Sequence, residues 1–300
     1  MISQPPVHGE FQEPPRSWLP FGSLERSRRF YNVASAAIAI LVVMFAAFPI
    51  AWTALTSLKA ESDIVTSTIQ YLPTRPTLEH YETIWQRSDF PRLLRNSAIV
   101  TLMTVVMSLT IGLFAAYSIS RYRFRGRGGL MVFYLVIRMF PFTLLLIPLF
   151  IMLRNLNLFD SHFGLALTYT TFLLPLCIWI LKGFFDGIPP DLEEASRVDG
   201  STRLGALFRI VLPLVRPGIA ATTVFIAIGA WNEYLWALLL TTSDGARTWP
   251  VGLQLMVGEF QMPWGTLSAS GIISIIPIMI GFAFVQRALV SGLMTGGVKG

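Results

Sequence analysis

The chain has 300 residues, of which 53% are hydrophobic and only 13% charged, and its formal net charge is +6. Soluble domains carry about 25% charged residues, so the composition excludes an ordinary soluble globular protein and points to a polytopic membrane protein. The positive charge does not mark a nucleic-acid binder, because the basic residues cluster in short segments between apolar runs, which is a membrane topology pattern.

The chain opens on a polar, Pro-rich stretch as far as Pro20. Residues 1–29 are expected to form a disordered cytoplasmic tail. The apolar run behind it exceeds the about 7–15 residues of a cleaved signal core. A spanning helix needs about 20 apolar residues to cross a hydrocarbon core of about 30 Å. Six stretches of the chain qualify: Tyr31 to Leu55, Ser97 to Ile119, Leu130 to Met152, Phe163 to Leu181, Pro217 to Leu240 and Ser270 to Leu289. The predicted fold class is therefore an all-α polytopic membrane protein, with residues 30–300 as its transmembrane domain. With both termini placed inside, most of the 23 Lys and Arg lie on the cytoplasmic side, as the positive-inside rule requires. Two sizeable outer loops remain, Lys59 to Asn96 and Thr241 to Ala269.

After the second span, "SRYRFRGRGG" places Arg121, Arg123, Arg125 and Arg127 at alternate positions. It serves either as a topology anchor alone or also as a contact for a cytoplasmic partner. In the third span Arg138 precedes Pro141, whose missing N–H bends a helix; the bend either hinges or lines a cavity, or is a packed kink. The fourth span holds Cys177, the one cysteine, which leaves no partner for an intramolecular disulfide. His8, His80 and His162 lie outside the apolar runs without metal-ligand spacing, so no metal site is expected.

Next comes a polar interruption, "EEASRVDGSTRLGALFRIVLP", Glu193 to Pro213. Pro189 and Pro190 end the preceding helix. Asp191 and Glu194 suit a capping pair, giving a short helix from about Leu192 to Asp199, with Gly200 as its left-handed terminator. Ser201 or Thr202 can cap a second helix, in which Leu204, Leu207, Phe208, Val211 and Leu212 share an apolar face and which Pro213 stops. Small residues ringed by charges of both signs suit a helix inserted into a groove on a partner. A lipid-resting helix would want bulky apolar residues instead; the second helix fits that description better.

The fifth span contains "WNEYLW". At about 1.5 Å per residue, Glu233 lies about 24 Å from Pro217, near the outer end, and Arg138 lies about 12 Å from Leu130, nearer the inside. A direct ion pair between them is not expected. An intramembrane ionisable group is costly and a functional candidate. Glu233 is either an interfacial or helix–helix hydrogen-bonding residue, or, with Trp231, Asn232, Tyr234 and Arg138, part of a substrate path; aromatic faces with amide and carboxylate groups suit a sugar. The last outer loop carries several glycines among aromatics, including Gly258, Glu259, Phe260, Gln261 and Met262.

The spacing Glu194-Ala195-Ser196, then Gly200, then Ile210-x-Leu212-Pro213 resembles the EAA loop of permease subunits in ATP-binding-cassette importers. Ser196 stands where the family pattern has Ala, and Asp199 before Gly200 resembles the sugar-importer version. "TLEHYETIW", "AAYSISRYRFRGR", "AWNEYLWALLL" and "GLMTGGVKG" are similar to segments of the carbohydrate branch that includes maltose and trehalose permeases. The likeness runs from about Phe30 to Gly300. It implies a type I importer fold in a bacterial inner membrane, termini cytoplasmic, with Glu194, Ala195, Ser196, Asp199 and Gly200 as the coupling contacts to a cytoplasmic ATPase dimer. It further implies a second, homologous permease as heterodimer partner and an external solute-binding protein touched by Gly258 to Met262. ATP and Mg belong to the ATPase, and this chain binds no cofactor. The closing "GGVKG" is no phosphate loop, lacking GxxxxGK and a preceding strand, so the chain is not expected to be an enzyme. A self-contained secondary transporter or channel is the alternative; it would call for repeats or titratable chains that the sequence does not display.

Overall fold

The computed structural model describes residues 21–87, 89–257 and 262–296, all of which are helix, turn or loop. Two compact units, residues 1–52 and 53–300, are taken separately. The first consists of most of α1 (Phe21–Ser57). The helix starts ahead of the residue 29 tail boundary; residues 1–20 lie outside the described residues. Between residues 30 and 50 its large apolar side chains are exposed, Phe45 at 81%. Helical hydrogen bonding satisfies the backbone from within, so such a surface is stable against lipid.

The second unit is built on α4 (Phe90–Arg121) and α7 (His162–Asp186), which pack along one another. Membrane helices approach closely where small residues meet. Here a Cβ on Gly112 would fall 2.4 Å from Cys177 Sγ, and that thiol donates to Ser108 O at 3.3 Å. Onto this pair pack α10 (Leu212–Trp231) and then α13 (Trp264–Gly296). The core forms three clusters along α4: Ile84, Phe90, Leu93 and Ala269 at its start; Val100, Leu153, Tyr169, Trp236 and Leu240 in the middle; and Tyr117, Leu181, Phe185, Leu207 and Val211 at its end.

Among the described residues, five helices are long and apolar enough to cross a membrane, and a sixth span is a bent pair. The third predicted span is thus not one helix. It comprises α5 (Arg127–Met139), a 3-10 turn at Phe142–Leu145 and α6 (Leu146–Asn155), with an 88° bend. Phe140, before Pro141, is extended (φ −71°, ψ 132°), as clash with the proline ring requires.

The fifth span also differs, at both ends. Pro213 does not stop the helix begun at Arg203. After α9 (Arg203–Ala206), a π turn at Leu207–Val211 lets Leu212 N–H donate to Leu207 O, and α10 continues with the proline in its first turn, where no intrahelical N–H is needed. At the other end α10 stops at Trp231. Asn232 Nδ2 donates to Ile228 O at 2.9 Å, and the chain restarts as α11 (Leu235–Leu240). The segment expected as an outer loop, Thr241 to Ala269, contains α12 (Trp249–Leu255) and the start of α13. It is pinned to α4: buried Asn96 donates to Arg247 O at 2.9 Å, and Ser97 Oγ accepts from Trp249 N at 2.8 Å. In the preceding loop, α2 (Glu61–Ile64) and α3 (Glu79–Arg87) follow α1. Glu61 accepts from Trp264 N and Gly265 N at 2.9 and 3.1 Å, capping α13 where a carboxylate favours the dipole.

Candidate functional site

The polar interruption folds as α8 (Asp191–Val198) and α9. Pro190 occupies the N-cap position and Asp191 is already helical, with no side-chain cap bond; the double proline sets the start in its place. Gly200 has φ +91°, and Ser201 N donates back to Ser196 O at 3.0 Å, the C-terminal closure that favours glycine. Thr202 caps α9 by accepting from Gly205 N at 3.0 Å.

On a helix, residues three apart share a face. Glu193 and Ser196 form the inner face of α8 and are buried at 8% and 7%, while Glu194, Ala195, Arg197, Val198, Asp199 and Gly200 are exposed. Ser196, expected among the outward contacts, therefore packs inward; its small size serves the joint with the rest of the chain. Glu193 anchors that joint. Tyr117 Oη donates to its Oε2 at 2.8 Å, Arg121 Nε pairs with Oε1, and an Arg121 terminal nitrogen donates to Ile188 O at 3.1 Å. The Arg121 and Glu193 side chains are 10% and 11% exposed. Ser120 Oγ donates to Asp186 Oδ1 at 2.6 Å and Lys182 pairs with the same carboxylate. The Arg203 guanidinium lies over the Tyr122 ring, 5.5 Å from its centre. The end of α4 is thus joined by polar contacts to the end of α7 through Asp186, to α8 through Glu193 and to α9 through Arg203.

The adjacent "EE" pair gives no clue in the sequence as to which glutamate turns inward. Helical phase pairs Glu193 with Ser196 but pairs Glu194 with Arg197 equally, so the bonds from Tyr117 and Arg121 decide it.

The residues named for a substrate path separate. Trp231 is buried, and its carbonyl accepts from Trp249 Nε1 at 3.0 Å. Asn232 is exposed and bonded to its own helix. Glu233 lies in the break rather than within the span: its oxygens accept from Trp236 N at 3.0 and 3.1 Å and from Ala237 N at 3.2 Å, so it caps α11. Arg138 lies in the last turn of α5, before the 88° bend. A cavity of about 230 Å³ opens between the two breaks, lined by Phe142, Tyr169, Phe172, Leu173, Gly229, Glu233 and Trp236. Of the residues named from sequence whose side chains are described, Glu233 alone borders it; the Arg138 side chain lies outside the description. Of the proposed binding-protein contacts, Gly258, Glu259, Phe260 and Gln261 lie outside the described residues, and Met262 is exposed.

With an outward-facing short helix clamped to a bundle of spans, family comparison decides the class. The family model for the binding-protein-dependent transport system inner membrane component matches residues 108–294, which include α8 and both helix breaks. The chain belongs to this family. This permease is accordingly a multi-pass inner-membrane subunit of a transport complex that works with a binding protein; it is not itself the ATPase and holds no cofactor. It is 39% identical to the sulfoquinovosyl glycerol transport system permease protein SmoH of Agrobacterium fabrum, over 84% of this chain and 89% of that one. It is 38% identical to the trehalose transport system permease protein SugB of Mycobacterium tuberculosis, over 88% and 97%. Among solved structures, a bacterial ABC transporter involved in the import of the acidic polysaccharide alginate superposes with a TM-score of 0.74 at 25% identity, covering 87% of this permease and 97% of that chain.

Proposed function

We propose that this permease forms half of the pathway of an ATP-driven sugar importer and that the outward face of α8 is its coupling contact. The contact residues are Glu194, Ala195, Asp199 and Gly200, which dock in a cleft of a cytoplasmic ATPase, one of a dimer. A second, homologous permease completes the pathway, and the membrane part begins near residue 30, with the Pro-rich tail inside the cell. Trp231, Asn232, Glu233, Tyr234 and Arg138 belong to the path or its gate, and Gly258 to Met262 meet the binding protein. One observation carries the reading: α8 presents a mixed-charge surface with small residues outward, while Glu193 on its inner face is bonded to Tyr117 and Arg121 at the end of α4. A push on such a helix reaches α4 through Glu193, and α7 through the bond from Ser120 to Asp186. The carbohydrate assignment rests on the sugar-transport relatives together with the aromatic and carboxylate groups at the breaks.

The test is Ala195→Trp in the transporter co-expressed with its ATPase, partner permease and binding protein. The indole blocks close docking, so stimulation of ATP hydrolysis by the loaded binding protein should fall at least about tenfold, as a loss of about 1.4 kcal/mol of coupling gives. Membrane insertion should be unaffected because Ala195 is exposed. Undiminished stimulation would reject α8 as the coupling element.

A further inference from the structure

The loop between α1 and α3 is built inside out. Polar bonds close it on itself. The buried Lys59 side chain donates to Gln70 O, Thr74 Oγ1 donates to Asp63 Oδ2 at 3.2 Å, and Thr77 N donates to Leu58 O at 2.9 Å. Its large apolar side chains are the exposed ones: Val65, Ile69, Tyr71, Leu72 and Leu78 are 62–76% exposed. From Ile64 to Leu78 the sequence carries one charge, Arg75. The loop is also fixed in place. Glu61 near its start caps α13, and buried His80, just past its end, bonds through Nε2 to Lys59 O at 2.8 Å. Apolar side chains held outward on a braced platform mark an interaction surface.

Three covers compete for this surface: lipid, the binding protein and the second permease. The backbone excludes the lipid hydrocarbon. The N–H groups of Val65, Thr66, Ser67, Ile69 and Leu72 have no backbone partner among the described residues, and irregular backbone with open donors does not enter lipid. Permanence decides between the two proteins. A binding protein that delivers solute must leave again, which would return the patch to water each time. Interfaces of that non-obligate kind are only about as apolar as ordinary surface, whereas permanent ones are more apolar. We infer that residues 64–78 dock on the second permease and hold the two subunits together at the end of the bundle remote from α8. The inference rests on the two-permease reading above and deepens it by naming a surface through which this chain meets its partner. The matching surface is apolar, with oxygen atoms placed to accept the open N–H groups.

The sample is the transporter from cells that express this chain with the second permease, the ATPase and the binding protein. Benzoylphenylalanine replaces Ile69, Tyr71 or Leu72 in turn, membranes are irradiated with and without binding protein, and mass spectrometry identifies the adducts. Adducts should join this chain to the second permease in both conditions. Adducts that form only with binding protein present, adducts with lipid alone, or no adduct from any of the three positions would each overturn the inference. The double variant Ile69→Glu/Leu72→Glu places two carboxylates in the contact. It should lower retention of the second permease on the tagged chain in detergent by at least about tenfold, as loss of one large buried apolar contact gives. Membrane insertion should be unaffected, because both residues are exposed, and Ile69→Val/Leu72→Met should keep the partner bound. Equal retention in the Glu variant would also overturn the inference. If a second permease co-purifies with the unaltered chain while these tests fail, only the loop assignment falls. If none co-purifies, the two-permease reading falls and takes the loop assignment with it.

Discussion

Replacing Arg121 by Met tests whether the joint between α8 and α4 is a single cooperative unit. The substitution keeps the length of the side chain and removes its charge. Two bonds are lost, one to Glu193 Oε1 and one to Ile188 O. Both are donated by the charged guanidinium, and a bond to a charged group contributes about 1.5–3 kcal/mol. Both side chains are about nine-tenths buried, so solvent cannot replace either bond. Two such bonds give about 3–6 kcal/mol, which overlaps the about 3–5 kcal/mol typical of breaking a buried pair on one side. Glu193→Leu alone also strands a partner, the guanidinium. The double variant Arg121→Met/Glu193→Leu leaves no uncompensated charge and should regain most of the stability, because an apolar replacement of a buried pair is often neutral. Unfolding in mixed micelles titrated with SDS gives the four free energies, and the cycle should yield a coupling above about 1 kcal/mol. Stimulation of ATP hydrolysis should stay low in the double variant, since stability returns while the polar tie does not. Additive single effects, with a cycle energy near zero, would refute the idea that the pair acts as one joint.

Gly112→Ala should destabilise the α4–α7 contact by about 1–3 kcal/mol through overpacking, since the new Cβ would lie 2.4 Å from Cys177 Sγ; adding Cys177→Ala should restore much of the loss, and the same SDS titration reads both. Asp160 accepts from Thr242 N and Ser243 N at 2.7 and 3.0 Å. Burial alone would raise its pKa, but the bonds from Ser243 and Thr242 outweigh it and hold the carboxyl below its usual value. Its contribution to stability is therefore complete above the unfolded value of about 3.9 and is lost as pH falls through the lower folded value. Asp160→Asn should flatten that acid limb of the stability profile, and an unchanged limb would assign it to other groups.

Much of the architecture is legible along the chain because membranes impose one-dimensional rules. A run of about 20 apolar residues must be a helix when no water can satisfy its backbone, and the second, fourth and sixth spans fall where the runs do, with ends that extend into the polar flanks. Gly200 and Thr202 are legible for a local reason: a left-handed terminator and a cap depend on neighbours a few residues away. The prolines are legible only in part. Pro141 bends the third span so sharply that two helices replace one, while Pro213 is absorbed by a π turn, because the cost of a missing N–H depends on whether the surrounding turn can rearrange.

By itself, then, the sequence determined which apolar runs become long helices, apart from the breaks in the third and fifth, and the motif that places the chain among permeases, both of which follow from hydropathy, spacing and local backbone chemistry. Only the tertiary structure decided that Glu193 turns inward to Arg121 while Glu194 faces out, that Ser196 is a packing residue, and that Tyr169, Phe172 and Trp236 meet Glu233 across two broken helices. These facts depend on the rotation of each helix about its axis and on what its neighbours bring to the same depth. Burial and hydrogen bonding between segments far apart in the chain set both, and no local pattern encodes either.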